Sequence, residues 1–219
     1  PLSSLHSISM SQTITVPIFP LDGVLLVPGS SLRLYIFEQR YQEMLTWALE
    51  HDGRIGMAIP AIGHSTSNEH QPPIHKIAGL GEITEHQPHP NGHSEIELRG
   101  ISRIEITHEL PQAWDFRVVQ AQILTEDSLS RPVIAREMPP ILQFLQDTDP
   151  ELFGRVQNAP AQRLIDLALI HLPVDMAVKV QLYSERSLAK RLRMVCEILQ
   201  QAQPPRPDID IEPDDPRCN

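Results

Sequence analysis

The sequence predicts an α+β fold whose first half is rich in β-strands and whose second half is helical. From residue 13 to about residue 124, the apolar side chains form short alternating runs, which is typical of strands with one buried face. From residue 131 onward they recur every three or four residues, which is typical of helices. The charges divide at the same place, because residues 1–130 carry 7 basic and 15 acidic side chains, whereas residues 131–203 carry 9 and 8.

Glycine and proline separate the predicted strands of the first half. These strands lie at residues 13–16, 32–36, 81–84, 95–98 and 117–123. The sequence H-P-N-G at residues 89–92 joins two of them, and Asn-Gly favours the positive φ angles of a tight hairpin. A helix is predicted at residues 38–50, where apolar residues follow helical spacing from Tyr41 to Leu49 and Gly53 can end the helix.

The second half shows successive helices. Asp149 and Pro150 supply an N-cap and a first-turn proline. A second apolar face spans residues 164–171 and ends at Pro173, which can itself open a helix at residues 174–182. The last helix has an apolar seam that must be buried, formed by Leu188, Leu192, Val195 and Leu199. Its basic side chains are expected to lie mostly in solvent, as a possible face for an acidic protein partner: Arg186, Lys190, Arg191 and Arg193.

Composition argues against several classes of partner. The formal net charge is −10 and only three of the 219 residues are lysine, which disfavours nucleic acid and anionic membrane surfaces. No apolar run approaches the ~20 residues of a membrane helix. Two cysteines cannot form a disulfide framework for this chain, so a reducing, cytoplasmic location is expected.

Motifs for cofactor chemistry are incomplete or missing from the sequence. Gly79 and Gly81 lack the third glycine and the following helix of a dinucleotide site, and no P-loop or G-x-S-x-G motif occurs. No cofactor is therefore expected. Histidine is enriched between His64 and His93, and the spacing of His86, His89 and His93 could gather imidazoles across the hairpin. No cysteine or adjacent acid completes a zinc site there, so these three remain weak metal candidates and polar loop residues are favoured.

One stretch carries a specific family resemblance. It reads V-P-I-F-P-L at residues 16–21, V-L-L-V-P-G at 24–29 and L-R-L-Y-I-F-E-Q-R-Y at 32–41. It resembles the N-terminal, substrate-recognition domain of Lon proteases, and is closest to the stand-alone form without ATPase or protease domains. Looser matches at residues 77–83, 98–104 and 163–199 extend the resemblance over about residues 13–202.

The resemblance implies a PUA-like β pseudo-barrel followed by a C-terminal helical bundle. The expected organisation is a flexible segment at residues 1–12, the barrel at 13–130, the helical domain at 131–203 and a disordered acidic tail at 204–219. The motif residues are expected to be structural, with Phe37 and Tyr41 packing the first helix onto the sheet: Phe19, Pro20, Leu21, Pro28, Gly29, Phe37, Glu38, Arg40 and Tyr41.

The function implied is a non-catalytic module that binds a polypeptide or partner protein in the bacterial cytoplasm. The chain carries no Walker lysine and no Ser-Lys protease segment. The concavity between barrel and bundle is the expected binding surface, since ligand sites favour domain junctions. The alternative is a small-molecule or metal-dependent enzyme that uses the region from His64 to His93. The partner and the oligomeric state are left open.

Overall fold

A computed structural model describes residues 12–61, 63–66, 71–111 and 113–202. Its first part consists of β1 (Thr13–Pro20), β2 (Ser31–Ile36), α1 (Gln39–Glu50), β3 (Arg54–Ala58), β4 (Ile77–Pro88), β5 (Ser94–Glu109) and β6 (Arg117–Ile123). Its second part consists of α2 (Arg131–Glu137), α3 (Pro139–Thr148), α4 (Pro150–Val156), α5 (Ala161–His171), α6 (Met176–Ser184) and α7 (Leu188–Ala202). The predicted acidic tail at 204–219 and residues 1–11 of the predicted N-terminal segment lie outside the described residues.

The six strands form a sheet that closes on itself. Their order is β2-β5-β4-β3-β1-β6, and β6 pairs back onto β5, so that five strands form a barrel. The α+β class predicted from the sequence is confirmed. β5 is the longest strand, and it pairs with β2 along its first half and with β6 along its second half. β2 is therefore a sixth strand attached outside the closed ring.

The hairpin predicted at residues 89–92 is present between β4 and β5. Gly92 has a φ of 84°, and the side-chain oxygen of Asn91 accepts a hydrogen bond from the His93 N–H at 3.1 Å. Residues 82–88 of β4 and 94–99 of β5 pair with each other, and the latter also pair with β2. We call these three paired segments the β-arm.

α1 packs against the strands through a buried apolar face. The predicted helix at residues 38–50 is confirmed, and its buried residues are Tyr41, Met44, Leu45 and Ala48. They pack in one cluster with Phe19 of β1 and Leu98 of β5. The Gly53 N–H donates to the Ala48 carbonyl, and Gly53 has a φ of 67°, so this glycine ends the helix as expected.

The helices of the second part pack into a separate cluster that also takes in barrel residues. The seam predicted for α7 is buried at all four positions, and the Asp149 side chain caps α4 by accepting from the Leu152 N–H. Val27 before β2, Ile59 just after β3 and Ile77 at the start of β4 belong to the same cluster as the helices. None of the helices within the described ranges combines the length and apolar composition that crossing a bilayer requires.

Four buried charges join the barrel to the helices. Arg103 of β5 and Arg191 of α7 both pair with Glu126, which lies between β6 and α2. Arg191 also lies 3.2 Å from Asp166 of α5. We call these four residues the charge cluster. Both arginines donate to the Glu185 carbonyl just after α6, which satisfies further N–H groups away from water.

Arg191 corrects an expectation of the sequence analysis, because it is fully buried and not in solvent. It follows Leu188 by three residues and precedes Val195 by four, so it shares the buried face of α7 with the seam. The other three basic residues are exposed, as expected: Arg186, Lys190 and Arg193. Lys190 remains exposed although it forms an ion pair with Glu185. The spacing of Arg191 from Leu188 and Val195 therefore already indicated, in the sequence, that Arg191 lies on the buried face.

The segment at residues 24–29 lies between the barrel and the helices. The Tyr183 hydroxyl of α6 donates to the Leu26 carbonyl at 2.7 Å. A Cβ atom at Gly79 would lie 2.3 Å from that same carbonyl oxygen, and one at Gly100 would lie 2.2 Å from the Val27 carbonyl oxygen. Only glycine lets the segment approach the barrel this closely.

Asp166 gives the charge cluster a defined pH dependence. Burial raises the pKa of this carboxyl from 3.8 to about 6, and the nearby Arg191 opposes the rise only in part. The folded state therefore binds more protons than the unfolded state between these two pH values, so this residue's contribution to stability is present below pH 4 and is lost as the pH rises through about 6. We expect Asp166→Asn to remove this pH-dependent loss, so that the free energy of unfolding of the variant minus that of the parent rises as the pH increases from 4 to 7, whatever the offset at pH 4.

Urea denaturation of both proteins across this pH range measures the difference in the free energy of unfolding. Asp147→Asn on the exposed end of α3 is the matched control, and its difference from the parent should not follow this course. Parallel curves for the parent and Asp166→Asn would contradict the assignment.

Candidate functional site

Most of the motif residues lie at the contacts that attach β1, α1 and the segment at residues 24–29 to the rest of the protein. Phe19 is buried against Tyr41, with ring centroids 4.3 Å apart, and Pro20 ends β1. The Leu21 N–H donates to the Ala58 carbonyl at 3.0 Å. These residues connect β1 to β3 and α1, and they leave no side-chain functional group facing solvent.

Pro28 and Gly29 shape the turn that leads into β2. Gly29 has a φ of 81°, and its carbonyl accepts a hydrogen bond from Arg163 of α5 at 3.1 Å. A Cβ atom at Gly29 would lie 2.9 Å from the Arg163 Nε atom. The turn before β2 is therefore fixed against the helical part.

Phe37 is placed differently from the other motif residues. Glu38 accepts from the Arg40 Nε atom at 2.9 Å, and the Arg40 guanidinium lies over the Tyr41 ring. Phe37, by contrast, is 58% exposed and does not pack α1 onto the sheet as expected. The reason is the alternation along β2, which buries Ile36 beneath α1 and turns Tyr35 and Phe37 to the opposite face.

Tyr35 and Phe37 form an exposed aromatic surface with two histidines of the hairpin. Tyr35 is 47% exposed, and its ring lies 6.4 Å from Phe37, 5.9 Å from His89 and 5.4 Å from His93, measured between centroids. A 2.8 Å hydrogen bond joins the Tyr35 hydroxyl to the His93 Nδ1 atom. We call these four residues the aromatic patch. The bond fixes Tyr35 to the hairpin, so the patch is held by both β2 and the turn between β4 and β5.

Acidic residues extend the same face of the β-arm. The strand register places Arg33, Glu97 and Glu85 in one row across the three strands, and Tyr35, Glu95 and Gln87 in the next. These six residues line a shallow depression of about 210 Å³. Arg33 lies 3.6 Å from Glu97, and His89 lies 3.5 Å from Glu95. The depression holds three carboxylates against one guanidinium, and in the row beside it Arg99 is paired with Glu82 at 2.9 Å, so the face has a net negative charge.

The three histidines proposed as weak metal candidates make separate contacts. His86 pairs with the Ser94 hydroxyl at 3.1 Å, whereas His89 lies beside Glu95 and His93 beside Tyr35. Across residues 12–61, 63–66, 71–111 and 113–202, no group of three or more histidine, cysteine or acidic side chains has an arrangement that could hold a metal ion. His64, the other end of the region proposed for enzymatic chemistry, lies in a separate loop with its N–H bonded to Ala61.

The junction of barrel and helices contains an apolar depression of similar size. Val24 and Leu25 face Ile170 of α5 and Met176 of α6 across about 220 Å³, and the Lys179 ammonium donates to the Ile170 carbonyl at the same place. This is the location expected from the sequence. Elsewhere the junction is filled by the charge cluster and by Tyr183, so it is packed and offers little open surface.

A second exposed aromatic group lies away from the aromatic patch. Trp114 is 43% exposed, and its ring centroid lies 6.2 Å from that of Trp47 and 5.5 Å from that of Phe116. Phe116 belongs to the core beneath α1. Trp114 is thus the outer end of an aromatic stack that continues into the core, whereas Tyr35 and Phe37 stand on the side of the sheet turned away from it.

Comparison with known proteins relates this architecture to one family. A family model described as the ATP-dependent protease La (LON) substrate-binding domain matches residues 15–201. The chain belongs to this family. Among curated Lon proteases, that of Brevibacillus choshinensis is 24% identical over 192 residues and that of Bacillus thuringiensis 23% identical over 210 residues. These alignments cover 84% and 91% of this chain, but only 24% and 26% of the relatives, so the chain spans about a quarter of their length.

Solved structures show the same fold in Lon N-terminal domains. The N-terminal domain of Mycobacterium avium complex Lon protease has a TM-score of 0.68 at 15% identity and covers 87% of this chain. A Lon N-terminal domain protein from Xanthomonas campestris has a TM-score of 0.63 at 18% identity, with the same coverage. The resemblance noted in the motif at residues 16–41 is thereby confirmed.

Sequence reasoning missed the surface that the β-arm presents. The hairpin and β2 were both predicted, but their pairing with each other was not. The sequence did contain a sign of this surface, since Tyr35 and Phe37 alternate with the apolar residues Leu34 and Ile36 along β2 and just beyond it. Alternation alone gives two faces, and only the position of α1 shows which face is covered.

The separate contacts of His86, His89 and His93 lead to a test of metal binding. We expect Zn²⁺ added in slight excess to metal-free protein to leave the melting temperature unchanged, because the imidazoles do not share one coordination centre. Differential scanning fluorimetry with and without EDTA measures this. A rise in melting temperature with Zn²⁺ that is lost in His86→Ala and His93→Ala would show a site and overturn this reading.

Proposed function

We propose that this Lon-family chain is a non-catalytic recognition module that binds polypeptide segments through the aromatic patch. The observation that carries the proposal is the exposure of Tyr35 and Phe37 side by side on a paired three-stranded arm. The family match to a substrate-binding domain supports binding of polypeptide in place of hydrolysis. The chain's two cysteines in 219 residues support a reducing, cytoplasmic setting.

Exposed aromatic side chains suit this role for a physical reason. Aromatic rings bury a large area on contact while losing little conformational freedom, and they dominate the binding energy of many interfaces. The Tyr35 hydroxyl is held by His93, and the Asn91 amide lies 3.1 Å from the same ring nitrogen. The patch is therefore ordered before a ligand arrives, which lowers the entropic cost of association.

The apolar depression at the junction is a weaker candidate for the same function. Its apolar side chains are aliphatic, and Met176 and Leu25 are only half-exposed. The Lys179 ammonium occupies one side of it by bonding to Ile170. A polypeptide segment would gain less contact area there than on the aromatic patch.

Substitution of Phe37 tests the proposal. β-Casein, which lacks a stable fold, serves as the unfolded polypeptide probe, labelled for fluorescence anisotropy. We expect Phe37→Ser to raise the Kd of the probe about tenfold, as truncation of a central aromatic contact does. Since Phe37 is largely exposed, thermal denaturation should show a stability close to that of the parent.

Trp114→Ser is the matched control, because it removes an exposed aromatic side chain outside the patch. Met176→Ser tests the junction. Retained binding in both variants supports the aromatic patch. A larger loss of affinity in Met176→Ser than in Phe37→Ser would assign the binding site to the junction. Failure of the parent protein to bind β-casein at all would overturn the proposed function.

A further inference from the structure

The outer edge of β2, beside the aromatic patch, is a sheet edge with no strand paired to it in the described part of the chain. Within the described residues, β2 pairs with β5 alone. It has six residues, contains no proline, and carries Arg33 as its single charge. Proteins commonly protect such an edge with proline, lysine, a bulge or a covering segment. An unprotected edge of this length can accept another extended chain.

The ladder shows which backbone groups of β2 are available. The Gly100 N–H donates to the Ser30 carbonyl at 2.8 Å, and the antiparallel register continues from there along β2 without a shift. Hydrogen-bonded pairs alternate in such a ladder, so Leu34 directs its N–H and C=O toward β5. Arg33 and Tyr35 direct theirs away from the sheet. The side chains of these two residues also lie on the acidic face, next to the free edge.

We infer that this edge takes up an extended polypeptide segment that carries lysine or arginine on alternate residues. The inference rests on the proposed function and specifies the class of polypeptide that the patch would recognise. A strand added to β2 would place alternate side chains on the acidic face beside Arg33 and Tyr35. A basic side chain next to Tyr35 could extend across its ring toward Glu95, which combines a cation–π contact with an ion pair.

Charge decides between the possible occupants of the edge. The depression holds Glu85, Glu95 and Glu97 against Arg33, and the neighbouring Arg99 is neutralised by Glu82. Glu85 has no ion pair with any residue that the structure describes. The chain's own C-terminal segment, residues 204–219, carries five acids and two arginines, so this face would repel it. A second copy of β2 would bring two acidic faces together. A basic segment is the occupant that the charges favour.

Synthetic decapeptides provide the probes for this inference. The first alternates lysine and valine, the second alternates glutamate and valine, and the third is the lysine peptide with alternate backbone nitrogens methylated. We expect the lysine peptide to bind about tenfold more tightly than the glutamate peptide, because like charges on one face are costly. We expect N-methylation to abolish binding, since it blocks the backbone hydrogen bonds of an added strand.

The variant Glu95→Gln with Glu97→Gln tests the charges without changing the shape of the face. It should lose most of the preference for lysine over glutamate, and added salt should weaken that preference in the parent. Glu197→Gln, on the exposed side of α7, is the matched control and should keep the preference. An unchanged stability of both variants in thermal denaturation shows that folding is not the cause.

The outcomes separate this inference from the proposed function. Equal binding of lysine and glutamate peptides, or full binding of the N-methylated peptide, would overturn strand addition by basic segments even if β-casein still binds through Phe37. Formation of dimers that Glu95→Gln strengthens would assign the edge to a second copy and would also overturn it. Failure of every peptide together with β-casein would overturn both proposals.

Discussion

The charge cluster is the constraint on which the arrangement of this protein depends. Glu126 is shared by Arg103 of the barrel and Arg191 of the last helix, and Asp166 adds a second carboxylate beside Arg191. Removing one member of a buried ion pair commonly costs about 3–5 kcal/mol, because its partner is left charged and away from water. The barrel and the helices therefore cannot separate without exposing or stranding several charges at once, and this holds the two parts in one arrangement.

That arrangement also fixes the chain that leads into β2. The Tyr183 hydroxyl donates a hydrogen bond to the Leu26 carbonyl, and the Arg163 guanidinium donates one to the Gly29 carbonyl. Two helices therefore anchor the segment between β1 and β2. Gly79 and Gly100 let the same segment lie directly on the barrel. β2 starts from this anchored turn and pairs with β5 beyond the closed ring. The helical part thus positions the base of the β-arm, although the proposed recognition surface carries no helical residue.

The separation of these two regions has a functional consequence. The cluster is buried, and its charges pair with one another inside the molecule, although the two Asp166 carboxylate oxygens and the Arg191 Nε atom make no hydrogen bond with any described residue. The β-arm, by contrast, carries exposed aromatic rings, carboxylates and a strand edge that no described residue pairs with. Binding on a preformed sheet face requires little rearrangement of the protein, so more of the contact energy contributes to affinity. The recognition surface can also vary in sequence without disturbing the buried contacts that hold the fold, because no residue belongs to both.

The sequence by itself determined the α+β class, the hairpin at residues 89–92, α1, the seam of α7 and the family resemblance of residues 16–41. Each of these rests on local spacing, on turn chemistry or on a contiguous motif, all of which are read along the chain. Only the tertiary structure decided that Arg191 is buried, that Phe37 is exposed and that one edge of β2 pairs with no described residue. These outcomes depend on which face of an element meets a distant neighbour: Arg191 meets carboxylates 65 and 25 positions away in Glu126 and Asp166, and Phe37 lies opposite the face that α1 covers.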